Sequence, residues 1–104
     1  MNNYFFSFST DKKIKLIRQN KHLDIFINDP SFIIRCAVLE QGYGIEQLVN
    51  DKSEYVRSKM AKLGYNLNTL ISDESQKVRG WVIWYCEQHQ EKEECRNIME
   101  LYKI

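Results

Sequence analysis

The chain has no excess of either charge: 15 Lys and Arg face 14 Asp and Glu, for a formal net charge of +1. A dedicated phosphate-backbone binder draws its affinity from clustered, unpaired cations, so this balance argues against that class. Cysteine is scarce and odd in number. Cys36, Cys86 and Cys95 sit at unrelated spacings, which argues against a disulfide framework and points to free thiols in the reducing cytoplasm. Long apolar runs are missing. Tyr4-Phe5-Phe6-Ser7-Phe8 is far too short to cross a bilayer, and the first residues lack the basic, apolar and small-residue succession of a signal peptide. No stretch alternates with a period of two, which removes strands, and the Leu-x-Leu strand of leucine-rich horseshoes is absent with its Asn. Neither a glycine-rich phosphate loop nor a carboxylate pair in a recognisable context is present. Cys86, His89 and Cys95 match no zinc spacing and lack an evident fourth ligand. His22 and His89 have no acid or nucleophile at a recognisable spacing. We therefore expect no catalytic residue, no metal and no cofactor: the chain does not read as an enzyme.

What is present is a repeat. At 104 residues, 43% hydrophobic and 28% charged, the chain is expected to fold as one soluble domain over residues 1–104. Asp29-Pro30-Ser31-Phe32-Ile33-Ile34-Arg35, Asp51-Lys52-Ser53-Glu54-Tyr55-Val56-Arg57 and Asp73-Glu74-Ser75-Gln76-Lys77-Val78-Arg79 share an Asp-x-Ser-x-x-(Ile/Val)-Arg core at a fixed 22-residue step. A constant period in this range is the mark of a stacked repeat architecture. Solenoids are surfaces for partners, so the repeat defines a shape far better than a ligand.

Each unit divides in two. Leu23–Ile27, Ile45–Val49 and Leu67–Ile71 carry apolar residues at i, i+3 and i+4, enough for one helical turn. A longer helix then begins at the Asp, whose carboxylate is suited to accept a bond from a free N–H of the first turn. Pro30 is placed at the first helical position, where a missing N–H costs nothing. Ile34/Val38, Val56/Met60/Leu63 and Val78/Val82/Tyr85 form an inward stripe. Gly42 and Gly64 are placed just past the helix ends as left-handed caps, with Tyr43 and Tyr65 folding back beside them. Cys86-Glu87 replaces Gly-Tyr in the third unit, so that helix is expected to run on. Repeats are expected at 23–44, 45–66 and 67–88. Residues 1–22 form an N-terminal cap, with a helix over 11–19 spaced too closely to Leu23 to be a repeat. Residues 89–104 form a capping helix with Cys95, Ile98, Met99 and Tyr102 on one face.

These units resemble the HEAT-like and leucine-rich-repeat-variant families of short helical repeats over residues 23–88. The resemblance rests on the three Asp, on Ile34-Arg35, Val56-Arg57 and Val78-Arg79, and on Gly42-Tyr43 and Gly64-Tyr65. It implies an all-α, right-handed α-solenoid of three 22-residue units, in which Asp and Arg side chains pair between neighbouring units. It also implies a binding role and no catalysis. The 22-residue period is shorter than a two-helix HEAT unit, so the variant type is the nearer likeness.

Two groups are candidates for function. The ladder of Arg35, Arg57 and Arg79 has the geometry to grip phosphates or carboxylates, but an equal number of Asp at the same period favours internal pairing with Asp29, Asp51 and Asp73. Trp81 and Trp84 are better candidates. Their equivalents in earlier units are Ala37 and Lys59, and Glu40 and Lys62, so position 84 is one that the repeat sets toward solvent. Either Ile98, Met99 and Tyr102 cover this Trp, which is the simpler expectation, or it anchors a partner. Tyr4, Phe5, Phe6 and Phe8 face the same choice, with cap packing favoured. The reading is a cytoplasmic, non-catalytic protein-interaction module without membrane contact. Its partner is another protein, met through Trp81, Trp84, Lys52, Glu54 and Lys59. The alternative is a nucleic-acid binder using the Arg ladder and the basic segment Lys12, Lys13, Lys15, Arg18 and Lys21. An enzyme acting on nucleic acid would need a base-sized pocket with an aromatic and an unpaired carboxylate. The chain is either a monomer or a homo-oligomer joined through an aromatic end.

Overall fold

A computed structural model describes residues 4–103, and every regular element among them is helical. A 3-10 turn (Tyr4–Ser7) precedes α1 (Thr10–Arg18), α2 (Leu23–Phe26), α3 (Phe32–Glu40) and α4 (Ile45–Leu48). Then follow α5 (Glu54–Lys62), α6 (Leu67–Leu70), α7 (Gln76–Gln88) and α8 (Glu93–Leu101). The short helices begin at residues 23, 45 and 67 and the long ones at 10, 32, 54 and 76. Both series step by 22. The first helix is therefore in phase with the others, which corrects the expectation of an out-of-register cap. The reason lies at its start: Ser9 caps α1 as Ser31, Ser53 and Ser75 cap α3, α5 and α7, each with extended backbone.

Serine, not aspartate, occupies the N-cap, and all but Ser31 bond the first turn through the side chain. Ser9 Oγ accepts from Lys12 N at 3.2 Å, Ser53 Oγ from Tyr55 N at 3.2 Å and Ser75 Oγ from Val78 N at 3.3 Å, satisfying donors that the first turn leaves free. Each Asp acts two residues earlier. Asp29, Asp51 and Asp73 Oδ1 accept from the N–H of Ser31, Ser53 and Ser75 at 2.9, 2.8 and 2.9 Å. This is an Asx turn that aims the chain into the helix. Pro30 accordingly precedes the cap rather than opening the helix.

The helix ends are equally regular. Gly42 and Gly64 follow the C-cap residues Gln41 and Leu63 with φ of 76° and 85°. At α5, Gly64 N bonds to Ala61 O and Tyr65 N to Met60 O, the paired closure of a Schellman end. Asn20 ends α1 in the same way: its own N–H reaches Ile17 O, and Lys21 N reaches Leu16 O, with φ of 59° at Asn20. Two residues after each, His22, Gly44 and Asn66 are left-handed as well. Each link from a long helix to the next short one thus turns on two positive-φ residues in a fixed place, filled by Gly, Asn or His. Asn is among the residues that bear this conformation most readily after Gly. α7 has no such glycine and runs for 13 residues, against nine for α3 and α5.

The chain packs as two compact units, Met1–Gly44 and Ile45–Ile104. In the first, α1 and α3 pack with α2, burying Ile17, Phe26, Ile34, Val38 and Leu39. Phe5 lies edge-on to Phe8 (5.5 Å) and Phe26 (6.1 Å) and against His22 (4.3 Å), so part of this aromatic segment packs within its own unit, while Tyr4 is exposed. In the second, α5 and α7 pack side by side with α6 against both and α8 against α6 and α7. Val56, Met60, Ala61, Leu67, Leu70, Val78, Val82, Cys95 and Ile98 are buried there. Leu63 is not in the stripe: as the C-cap of α5 it is exposed, and Ala61 faces inward instead. Among the described residues no helix is long and apolar enough to cross a membrane.

Candidate functional site

The Arg ladder is turned inward. Arg35 and Arg57 are only 6% and 9% exposed. Each ladder arginine donates through Nη1 to the carbonyl of the Asp six residues before it: Arg35 to Asp29 O at 2.7 Å, Arg57 to Asp51 O at 2.6 Å and Arg79 to Asp73 O at 2.7 Å. Arg57 also forks onto the carboxylate 16 residues ahead, with Nε–Asp73 Oδ2 at 2.8 Å and Nη2–Asp73 Oδ1 at 3.2 Å. Burial alone would push the Asp73 carboxyl up. Hydrogen bonds from Arg57 and the Ser75 N–H, with the charges of Arg57 and Arg79, outweigh it and hold that carboxyl below the usual range. The same bond raises the Arg57 guanidinium against the cost of its burial.

A further rung was hidden in the sequence because it is lysine. Lys13, in phase with the three arginines, is buried, and its Nζ meets Asp29 Oδ2 at 2.7 Å, the same distance along the chain as from Arg57 to Asp73. Lys12 lies over the Phe8 ring at 3.8 Å. Two cations of the basic N-terminal segment are thus engaged within the protein. The last rung is open: Arg79 is half-buried and, among the described residues, makes its carbonyl bond and no ion pair.

An open cleft of about 370 Å³ lies beside the ladder in the second unit, lined by Asn50, Asp51, Arg57, Ser72, Asp73 and Glu74 among others. None of its lining residues is aromatic, and of its carboxylates Asp73 is taken by Arg57 while the Glu74 side chain is exposed. Among the described residues no three His, Cys, Asp or Glu side chains converge to hold a metal. His89 instead stacks on Tyr85 at 3.9 Å and 12°, with Nδ1 2.8 Å from Tyr85 O. Lys92 Nζ donates to the Tyr85 hydroxyl at 2.5 Å. Cys86 and Cys95 are fully buried, and burial together with the Cys95 thiol pushes Cys86 up to about 12, which favours its thiol form.

The tryptophans lie on the outer side of α7. Trp84 is 44% exposed, so the C-terminal helix does not cover it. Tyr102 turns elsewhere and meets Ser72 Oγ through its hydroxyl at 3.2 Å. Trp81 is half-buried, edge-on to Trp84 at 5.4 Å and 79°, with Lys62 Nζ 4.2 Å above its ring. Lys77 Nζ likewise lies 4.7 Å over Tyr55. Of the residues expected to join the tryptophans, Lys59 shares the outward line of α5 with Tyr55 and Lys62. Lys52 and Glu54 do not: Lys52 is in the turn before α5, and Glu54 accepts from Ser75 Oγ at 3.2 Å. Tyr55, Lys62 and Lys77 were missed. Aligning the repeats exposes them, since positions 55/77, 59/81 and 62/84 each hold one aromatic and one lysine.

No protein-family model matches this chain, and comparison with curated proteins and with solved structures finds no significant match either.

Proposed function

We propose that the chain is a short right-handed α-solenoid of HEAT-like 22-residue repeats and acts as a non-catalytic protein-interaction module. The recurrence of one capping scheme at 22-residue steps supports the architecture. The observation that carries the function is Trp84: a large aromatic, 44% exposed, on a helix whose other side is packed and whose neighbouring ring is pinned by Lys62. A surface already fixed before binding loses little entropy when a partner arrives, and exposed Trp is a frequent anchor at protein interfaces. The ladder contributes by holding the helices, not by touching the partner.

Tagged protein incubated with source-cell lysate, with and without nuclease, tests this beside a Trp84→Ala control. The expected result is a protein retained after nuclease and lost with Trp84→Ala. Recovery of nucleic acid alone, indifferent to Trp84→Ala, refutes the reading.

A further inference from the structure

On the outward side of α5 and α7 the second unit carries a checkerboard. Tyr55 faces Lys77, Lys59 has Trp81 at its repeat position, and Lys62 has Trp84; two ammonium–ring contacts and the Trp–Trp contact tie the pattern together. These six positions hold three lysines and no carboxylate. The unit as a whole has nine Lys and Arg against ten Asp and Glu, a net charge of −1, so the positive face is a local segregation. Of its acids, Glu91, Glu93 and Glu94 lie at the start of α8 and Asp51, Asp73 and Glu74 at the ladder, while Glu87, one turn beyond Trp84, borders the face. Within the same face, Gly80 is exposed and nothing lies within 4 Å of where its side chain would be. It stands three residues after Lys77 and four before Trp84, hence on the same side of the helix, and leaves bare helix backbone open to solvent there.

Charge and ring geometry together select the occupant. Bases stack on successive open ring faces, but Tyr55 and Trp81 already carry an ammonium on theirs, which leaves Trp84 as a single open ring rather than a stacking platform. Those ammonium groups retain free N–H donors, since a ring face does not consume all three, and a carboxylate can take them. We propose that this face binds an acidic segment of a partner protein, with carboxylates on Lys62 and Lys77 and an apolar side chain against the exposed indole of Trp84. The proposal rests on the interaction reading above and names its chemistry.

Trp81 and Trp84 are the only tryptophans in the chain beside six tyrosines, so emission excited at the red edge, where tyrosine does not absorb, reports on this face alone. The purified protein is titrated with a pool of short synthetic peptides rich in Asp and Glu with interspersed Leu and Phe. A matched pool with Lys in place of the acids and a short oligothymidylate serve as the other arms. The expected result is a saturable change with the acidic pool only, weakened about tenfold in a Lys62→Gln/Lys77→Gln variant that keeps its helical circular dichroism. No change at millimolar acidic peptide, equal binding by the variant, or binding of oligothymidylate in its place overturns the proposal. In the capture experiment, a partner lost with Trp84→Ala but kept by the double-lysine variant removes only the acidic chemistry. A catch indifferent to Trp84→Ala removes the interaction reading itself.

Discussion

Replacing Asp73 by Asn tests the physical basis of the ladder. The substitution keeps the shape of the side chain and one oxygen, enough for the Ser75 N–H, but it removes the charge that takes the Arg57 fork at 2.8 and 3.2 Å. Arg57 then keeps the Asp51 carbonyl, a neutral bond to the amide oxygen in the Oδ1 place that the Ser75 N–H also uses, and Glu74, whose carboxylate is 3.9 Å away on a side chain 91% exposed. An uncompensated buried charge costs on the order of 3–5 kcal/mol. The partners retain 11% and 10% side-chain exposure, so the lower end applies, about 3 kcal/mol. For a domain this size that corresponds to a fall in Tm of about 12–24 °C. Urea unfolding followed by far-ultraviolet circular dichroism measures it, with an unchanged m-value showing that only stability moved. The double variant Arg57→Met/Asp73→Leu removes both charges and is expected to recover most of the loss, since no lone ion remains. A cost under about 1 kcal/mol for Asp73→Asn, the range of exposed pairs, refutes this account; so does a double variant whose cost equals the sum of the singles. The pH dependence has a matching sign. Asp73 is held below its unfolded value, so its contribution is present above about pH 4 and is lost as the pH falls through the lower folded value. Asp73→Asn removes that part of the acid sensitivity.

Two further substitutions probe the packing. Gly64→Ala combines a positive φ with a Cβ that would overlap the hydroxyl end of Tyr85, and it is expected to cost about 3 kcal/mol, from backbone strain and overlap together; a fall in Tm of only a degree or two in calorimetry would contradict this. Ser58 is 5% exposed, and its Oγ has no partner among the described residues, so Ser58→Ala should stabilise by about 1 kcal/mol by removing an unsatisfied hydroxyl. A lower urea midpoint would show that the hydroxyl has a partner after all.

Much of the helical layout was legible because the Asp-x-Ser-x-x-apolar-Arg core marks three helix starts. What stayed hidden follows the same physics in different letters. α1 carries Lys13 for Arg, Ser7 for Asp and Asn20 for Gly: each departs from the identity that reveals a repeat, and Lys13 and Asn20 still supply the needed charge and backbone conformation. The cap was assigned to Asp rather than Ser because both are strong N-cap residues two positions apart, and only the hydrogen bonds separate an Asx turn from a cap. Leu63 has the right spacing for the core, but spacing does not show that the helix stops there. The exposed state of Trp84 depends on where α8 lies, and the contacts of Lys62 and Lys77 cross between helices far apart in sequence. The alternation of aromatic and lysine at three repeat positions was visible in the sequence, but only in columns that compare one unit with the next.

The ladder also has a direction. Lys13 and Arg57 both reach forward, to the aspartate carboxylate of the next unit's turn, whereas Arg79 finds Cys95 at the equivalent position and Ser7 stands where an upstream cation would look for its Asp. As a building system, such a chain extends more readily at one end than the other. A one-repeat cassette grafted after Gln88 in place of α8 brings an Asp to a guanidinium already waiting, while one grafted before α1 needs Ser7→Asp before its arginine has a place to land. For the solenoid proposed above, polarity of this kind gives a designer a rule for which end to lengthen, and it gives duplication a preferred side on which to add units.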